Sequence, residues 1–168
     1  AGIAVFGCTT NGEFIDEATE KGSIAILLLD INRSYFQIYF EEYPEKNYRE
    51  ITNRIAQKVK ERFSAPAFFI AGSNMETDAE ELLFGFEDVV GKEVNVYGCM
   101  AGDDFTFSDQ FVFTNEYSSS RGLVCLALDE EKIMIRGVAT CGWRAVGTLR
   151  TVTKSSGNHV YTVDDIPV

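Results

Sequence analysis

Two segments of this chain carry apolar residues at the spacing of one helix face. In residues 48–63 these are Tyr48, Ile51, Ile55, Val59 and Phe63, with Asn47 placed as N-cap and Glu50 as its N3 partner. In the second, Thr77-Asp78-Ala79-Glu80 reads as a capping box. Its expected buried face is Leu82, Leu83, Phe86, Val89 and Val90, and Gly91 stands at C′. Short buried strands are expected at 67–71 and 94–97, on either side of this helix. A strand–helix–strand unit of that length predicts a parallel pair.

Other stretches read as strands. Residues 1–6 are apolar, and 22–30 form a nearly continuous apolar run, the pattern of a strand buried on both faces. Residues 31–33 would turn into an alternating strand over 34–40. Beyond 105, strands are expected at 110–114, 122–128, 132–138, 147–153 and 159–163. Turn signals separate them at Asn115-Glu116, Asp129-Glu130-Glu131 and Ser155-Ser156-Gly157-Asn158. The fold class is α+β, with one βαβ unit followed by an antiparallel meander. The sheet is mixed and mainly antiparallel, packed with helices, and this many strands favours two stacked sheets over one open sheet.

Composition narrows the partners. The chain has 168 residues, 45% of them hydrophobic, with 13 Phe, enough to build one real core. A net charge of −11 repels phosphate backbones and anionic lipid, so nucleic acid and membrane insertion are not expected. The longest apolar run, 24–29, is strand-sized rather than membrane-spanning. Cysteines at 8, 99, 125 and 141 contain no C-x-x-C, which fits reduced, cytoplasmic usage. Cys125 sits in an apolar strand as a small hydrophobe. One histidine, His159, gives no metal-ligand pair, and no cofactor motif is present. Both ends read as cut, as in a fragment of a longer polypeptide.

One phrase occurs twice: Val5-Phe6-Gly7-Cys8-Thr9-Thr10-Asn11-Gly12 and Val96-Tyr97-Gly98-Cys99-Met100-Ala101-Gly102-Asp103. Each is a strand breaking into a glycine-rich loop. Either these are two ordinary strand ends, or they share one edge and line a cleft where backbone N–H groups meet a small ligand. Glu13, Asp103 and Asp104 add carboxylates, so an amino acid would find both of its charges answered. If the phrases are neighbours, Cys8 and Cys99 are close enough to oxidise. Trp143 and Arg144, between glycines at 142 and 147, either lid a pocket, with Arg144 holding a carboxylate, or plug a sheet end. Cys8 or Cys99 as a nucleophile needs a base, and nothing in the sequence brings His159 to either.

Gly7-Cys8-Thr9-Thr10-Asn11-Gly12-Glu13, then Gly98-Cys99-Met100-Ala101-Gly102-Asp103, then Gly142-Trp143-Arg144-Ala145-Val146-Gly147, then the segment from Val152 to Tyr161, resemble in order the N-terminal FIST domain. The resemblance covers nearly the whole chain. It implies a non-catalytic sensory domain of a signal-transduction protein that binds a small molecule such as an amino acid. It also implies one further strand and helix before the first phrase, and a C-terminal FIST domain and an output domain as partners. Residues 1–168 would then be a single FIST N-like domain fragment. The positions matching its motifs are Gly7, Cys8, Thr9, Thr10, Gly12, Glu13, Gly98, Cys99, Ala101, Gly102, Asp103, Trp143 and Arg144. Cys99 stands where many relatives carry a second glycine, which narrows the space for a ligand. A thiol-nucleophile enzyme using Cys8 or Cys99, and an interaction scaffold without a ligand, are the alternative readings.

Overall fold

The computed structural model describes residues 2–16, 18–73, 76–108, 110–138, 140–157 and 159–168. They divide into two units, Ala1–Gly137 and Val138–Val168. Ala1 of the expected first strand and Asn158 of the expected hairpin turn lie outside the described residues. The first unit contains β1 (Phe6–Cys8), β2 (Glu13–Ile15), β3 (Ala18–Glu20), a single 3-10 turn (Arg33–Tyr35), β4 (Phe36–Glu42), α1 (Tyr48–Lys60) and β5 (Pro66–Gly72). It continues through α2 (Ala79–Val90), β6 (Val96–Met100), β7 (Val112–Thr114), β8 (Ser118–Ser119) and β9 (Gly122–Asp129). The second unit holds β10 (Val152–Ser156), β11 (His159–Val163) and β12 (Ile166–Pro167), an antiparallel three-stranded ladder. The fold is α+β.

The main sheet of the first unit has the order β4-β9-β5-β6. Its β5–β6 pair is parallel, with Phe68 beside Val96 and Gly72 beside Met100, and the connection runs through α2. β9 is antiparallel to both β4 and β5. Alternation along these strands sorts residues onto two faces. Phe68, Ile70, Leu123, Cys125 and Ala127 pack with Ile51, Ile55 and Val59 of α1 and with Leu82 and Phe86 of α2. Phe68 and Phe86 meet with ring centroids 4.3 Å apart. On the other face a smaller cluster joins Ala71, Ala101 and Val124 to Val112, with Phe6, Cys8, Ile38 and Phe40 alongside. That cluster stacks the sheet β1-β7-β8 on the main sheet, which makes the two stacked sheets that the strand count favoured.

Both helices start close to where the sequence places them, with different caps. Asn47 makes no side-chain cap bond. At α2 the cap is Asp78, whose carboxylate accepts from the N–H of Glu80 and of Glu81, while the Thr77 hydroxyl donates to the Ser73 carbonyl at 2.7 Å. Leu83, expected on the buried face, is 40% exposed. Leu82, Gly85 and Phe86 are the residues of α2 that are buried.

Expected strands fail at 22–30, 132–138 and most of 147–153, and of the expected 1–6 only Phe6 enters a strand, β1, among the described residues. The run 22–30 forms no ladder among the described residues; Ile24 is 85% exposed and Leu28 82%. A strand buried on two faces needs partners in a sheet, and β4, the strand that follows, pairs with β9 and leaves its other edge open. Segment 132–138 likewise forms no strand, and of 147–153 just Val152 and Thr153 enter one, β10. The expected meander is also broken: β9 sits between β4 and β5 rather than beside its sequence neighbours. Its burial along nearly its whole length requires a flanking strand on each side.

Candidate functional site

The two Gly-Cys phrases are neighbours in space. Cys8 ends β1 and Cys99 lies in β6, and their Sγ atoms are 3.9 Å apart. The following loops are sewn together by the backbone: the Gly102 N–H donates to the Thr9 carbonyl at 2.9 Å. Thr9 in turn donates its N–H to the Phe111 carbonyl at 2.9 Å, and its hydroxyl oxygen accepts from the Phe111 N–H at 2.9 Å. The Ala101 N–H donates to the Gly72 carbonyl at 2.7 Å, which continues the parallel pairing past the end of β6. These amides serve the fold, so a ligand there would meet chiefly side chains and the loop rims.

Two of the glycines are required by close approach. A Cβ on Gly102 would lie 2.4 Å from Asn11 Oδ1 and 3.1 Å from the Asn11 nitrogen. A Cβ on Gly98 would lie 2.0 Å from the carbonyl oxygen of Ile70 on the adjacent strand. Both contacts are far below ordinary van der Waals distance, so the side-chain-free backbone is what lets the segments meet.

The 7–13 loop leads into the exposed β2–β3 hairpin. At its start the Glu13 carboxylate accepts from the hydroxyls of Thr10 and, at 2.6 Å, Ser23. The Ser23 bond first, then that from Thr10, holds its carboxyl below the usual glutamate range, so it is anionic at neutral pH. A Cβ on Gly12 would lie 3.2 Å from the Glu20 carbonyl oxygen, and the Lys21 Nζ stands 5.8 Å from the centroid of the Phe105 ring. On the other loop the Asp103 carboxylate accepts from the Ser108 N–H at 2.8 Å and the Thr106 hydroxyl at 3.1 Å. Phe105 and Phe107, both with left-handed backbone at φ 61° and 55°, are exposed and meet edge to face. Lys21 and this aromatic pair were not among the positions singled out in the sequence. The signal was there in Phe105-Thr106-Phe107, two large apolar residues immediately after an acidic turn.

The thiol pair is electrostatically asymmetric. Hydrogen bonding from the Cys8 thiol lowers Cys99 to about 7. Cys8 is raised by the shared bond, by its partial burial and by the neighbouring Cys99 charge. The pair therefore loses its first proton near neutrality and resists losing the second. Cys125 is fully buried and pushed up by burial alone.

The structure thus brings Cys8 beside Cys99, and Thr9 and Asn11 beside Gly102; Thr10, Gly12 and Glu13 lie further along the first phrase, where Glu13 is held by Thr10 and Ser23. Trp143 and Arg144 belong to the second unit, where both are exposed. Among the described residues no three His, Cys, Asp or Glu side chains cluster as a metal site, and no helix is long and apolar enough to cross a membrane.

The family model described as the FIST N domain matches residues 1–166 of the chain. No curated protein and no solved structure matches the chain.

Proposed function

The chain belongs to the FIST family of sensory domains in signalling proteins, and on that premise we propose that its paired Gly-Cys loops bind a small amino-acid-like molecule. The observation that carries this reading is the junction at Thr9 and Gly102, where two glycine-rich loops are hydrogen-bonded edge to edge and open onto solvent. One of these loops follows the carboxyl end of a strand in the parallel pair, the end at which open α/β sheets place ligands.

The charges around the junction suit a zwitterion. Glu13, held anionic by two hydroxyls, is the partner for an ammonium group. The Lys21 ammonium, beside the Phe105 ring, is the partner for a carboxylate. The aromatic rings of Phe105 and Phe107 offer an apolar rim to a side chain. Binding would select one arrangement of the 7–13 and 98–103 loops, and that bias is what a following output domain would read.

A thermal-shift screen of free amino acids against the chain tests this. A ligand at about 100 times its Kd adds roughly 2.7 kcal/mol of stability. The midpoint then rises by several degrees, at about 2–4 °C per kcal/mol for a chain of this size. Glu13→Gln should abolish the shift for amino acids and spare it for their des-amino analogues. A shift that Glu13→Gln leaves unchanged removes Glu13 from the site, and no shift with any amino acid leaves the scaffold reading in its place. Arg144→Ala tests the expected carboxylate contact of that residue separately.

A further inference from the structure

We propose that Cys8 and Cys99 form a peroxide-sensitive dithiol, in which an uncharged hydroperoxide oxidises Cys99 and Cys8 then closes a disulfide between β1 and β6. The inference stands on the thiol pair itself and needs no bound ligand.

The geometry comes first. The two sulfurs are 3.9 Å apart although their residues are 91 positions apart in the chain. A disulfide needs about 2.05 Å, so they must close by roughly 1.9 Å, within reach of side-chain rotation and a small loop shift. Both cysteines are free and neither is fully buried. They differ in access: Cys99 is exposed and Cys8 is intermediate. The outer thiol therefore meets the oxidant and the inner one resolves the product. The hydrogen bond between them puts the negative charge on Cys99, the exposed partner. A thiolate beside a neutral thiol is the arrangement of a reactive cysteine with a resolving one.

The steps balance. The Cys99 thiolate attacks one peroxide oxygen; an S–O bond forms, the O–O bond breaks, and the departing alkoxide or hydroxide takes a proton to leave as alcohol or water. The sulfur is oxidised by two electrons to a sulfenic acid and the peroxide is reduced by two. Cys8 then attacks the Cys99 sulfur. An S–S bond forms, the S–O bond breaks, and the hydroxyl leaves as water with the Cys8 proton. Two thiols and one hydroperoxide become a disulfide, an alcohol or water, and a second water.

Charge selects the oxidant class. The chain carries −11 overall, and Glu13, Asp103 and Asp104 lie on the two loops that flank the thiols. That field opposes anionic low-molecular-weight disulfides and is indifferent to a neutral hydroperoxide. The consequence is structural: β1 belongs to the sheet β1-β7-β8 and β6 to the main sheet, so the bond would link the two sheets at the loops that meet there.

The test is oxidation of the reduced chain by hydrogen peroxide, followed by alkylation of the remaining thiols and peptide mapping. The expected result is a Cys8–Cys99 cross-linked peptide, two hydrogens lighter than its parts and reversed by dithiothreitol, with Cys125 still reduced. In Cys8→Ser the reaction should stop at a Cys99 sulfenic acid that dimedone traps, and in Cys99→Ser the Cys8 thiol should stay reduced. Oxidation of Cys141 while Cys8 and Cys99 remain thiols would overturn the proposal. So would Cys99 oxidation in the unmodified chain without a link to Cys8. If either variant fails to fold, the map of the unmodified chain decides alone.

Discussion

The two faces of the main sheet are built from different materials. One is covered by two helices over a continuous apolar layer in which Ile51, Ile55, Phe68, Phe86 and Leu82 are almost wholly buried. The other is covered by a three-stranded sheet whose contact is made by two alanines and two valines, with Phe6, Cys8, Ile38 and Phe40 partly buried around them. Large residues interdigitate on the first face, and small ones allow close backbone approach on the second. The difference teaches where stability and chemistry are separated. The helix side can hold the sheet while the opposite side keeps glycine-rich loops, the exposed Cys99 thiol and the Glu13 carboxylate at its surface.

That separation can be broken from the heavy side. Phe86→Ala removes a fully buried ring that packs on Phe68 and should destabilise by about 3–5 kcal/mol. Val124→Ala, on the opposite face of the same sheet, should cost about 1–3 kcal/mol. Denaturant titration of the pair measures both, and equal losses would mean that the two faces contribute alike.

The light side is sharpened by Gly102→Ala. The added methyl would lie 2.4 Å from the Asn11 side-chain oxygen and 3.1 Å from its backbone nitrogen, so the Asn11 side chain must turn away and the junction loosens. The global unfolding midpoint should move less than in Phe86→Ala, while the yield of the Cys8–Cys99 cross-link under peroxide falls several-fold. A Gly102→Ala variant with the cross-link intact would show that the thiols do not depend on that junction.

The smallest effect is kinetic. The thiolate of Cys99 forms as pH rises through about 7 rather than the ordinary 9.0, so it is present above neutrality and lost as pH falls below it. Its alkylation near neutrality should therefore be faster than that of an unperturbed cysteine, the lower basicity of the thiolate giving back part of the gain. Cys8→Ala removes the hydrogen bond and leaves the opposing effect of burial, so the rate–pH midpoint should move upward. A midpoint that does not move would assign the reactivity of Cys99 to some other neighbour.

Much of this was legible before any tertiary structure. The spacing of Ile51, Ile55 and Val59, and that of Leu82 and Phe86, is a local property and marked both helices and their buried faces. The length of the segment between 67–71 and 94–97 was enough to make those strands parallel. The doubled Gly-Cys phrase pointed to neighbours, and Cys8 does lie beside Cys99, but across two stacked sheets rather than along a shared edge of one, because β1 pairs with β7 and β6 with β5.

Pairing was the part that local pattern could not reach. Residues 22–30 and 122–128 have much the same apolar character, yet one is exposed without a ladder and the other is buried at the centre of the sheet. A hydrophobic run specifies a wish for burial, and only the three-dimensional arrangement decides which run receives strands on both sides. The same holds at the site. Spacing marked Gly7-Cys8 and Gly98-Cys99 as a matched pair at the ends of strands; that both lie inside β1 and β6, with only Gly102 in the loop beyond, was decided by pairing. That the Thr9, Ala101 and Gly102 amides are engaged by carbonyls and that Lys21 stands over Phe105 were decided by contacts between residues distant in the chain, which no local pattern encodes.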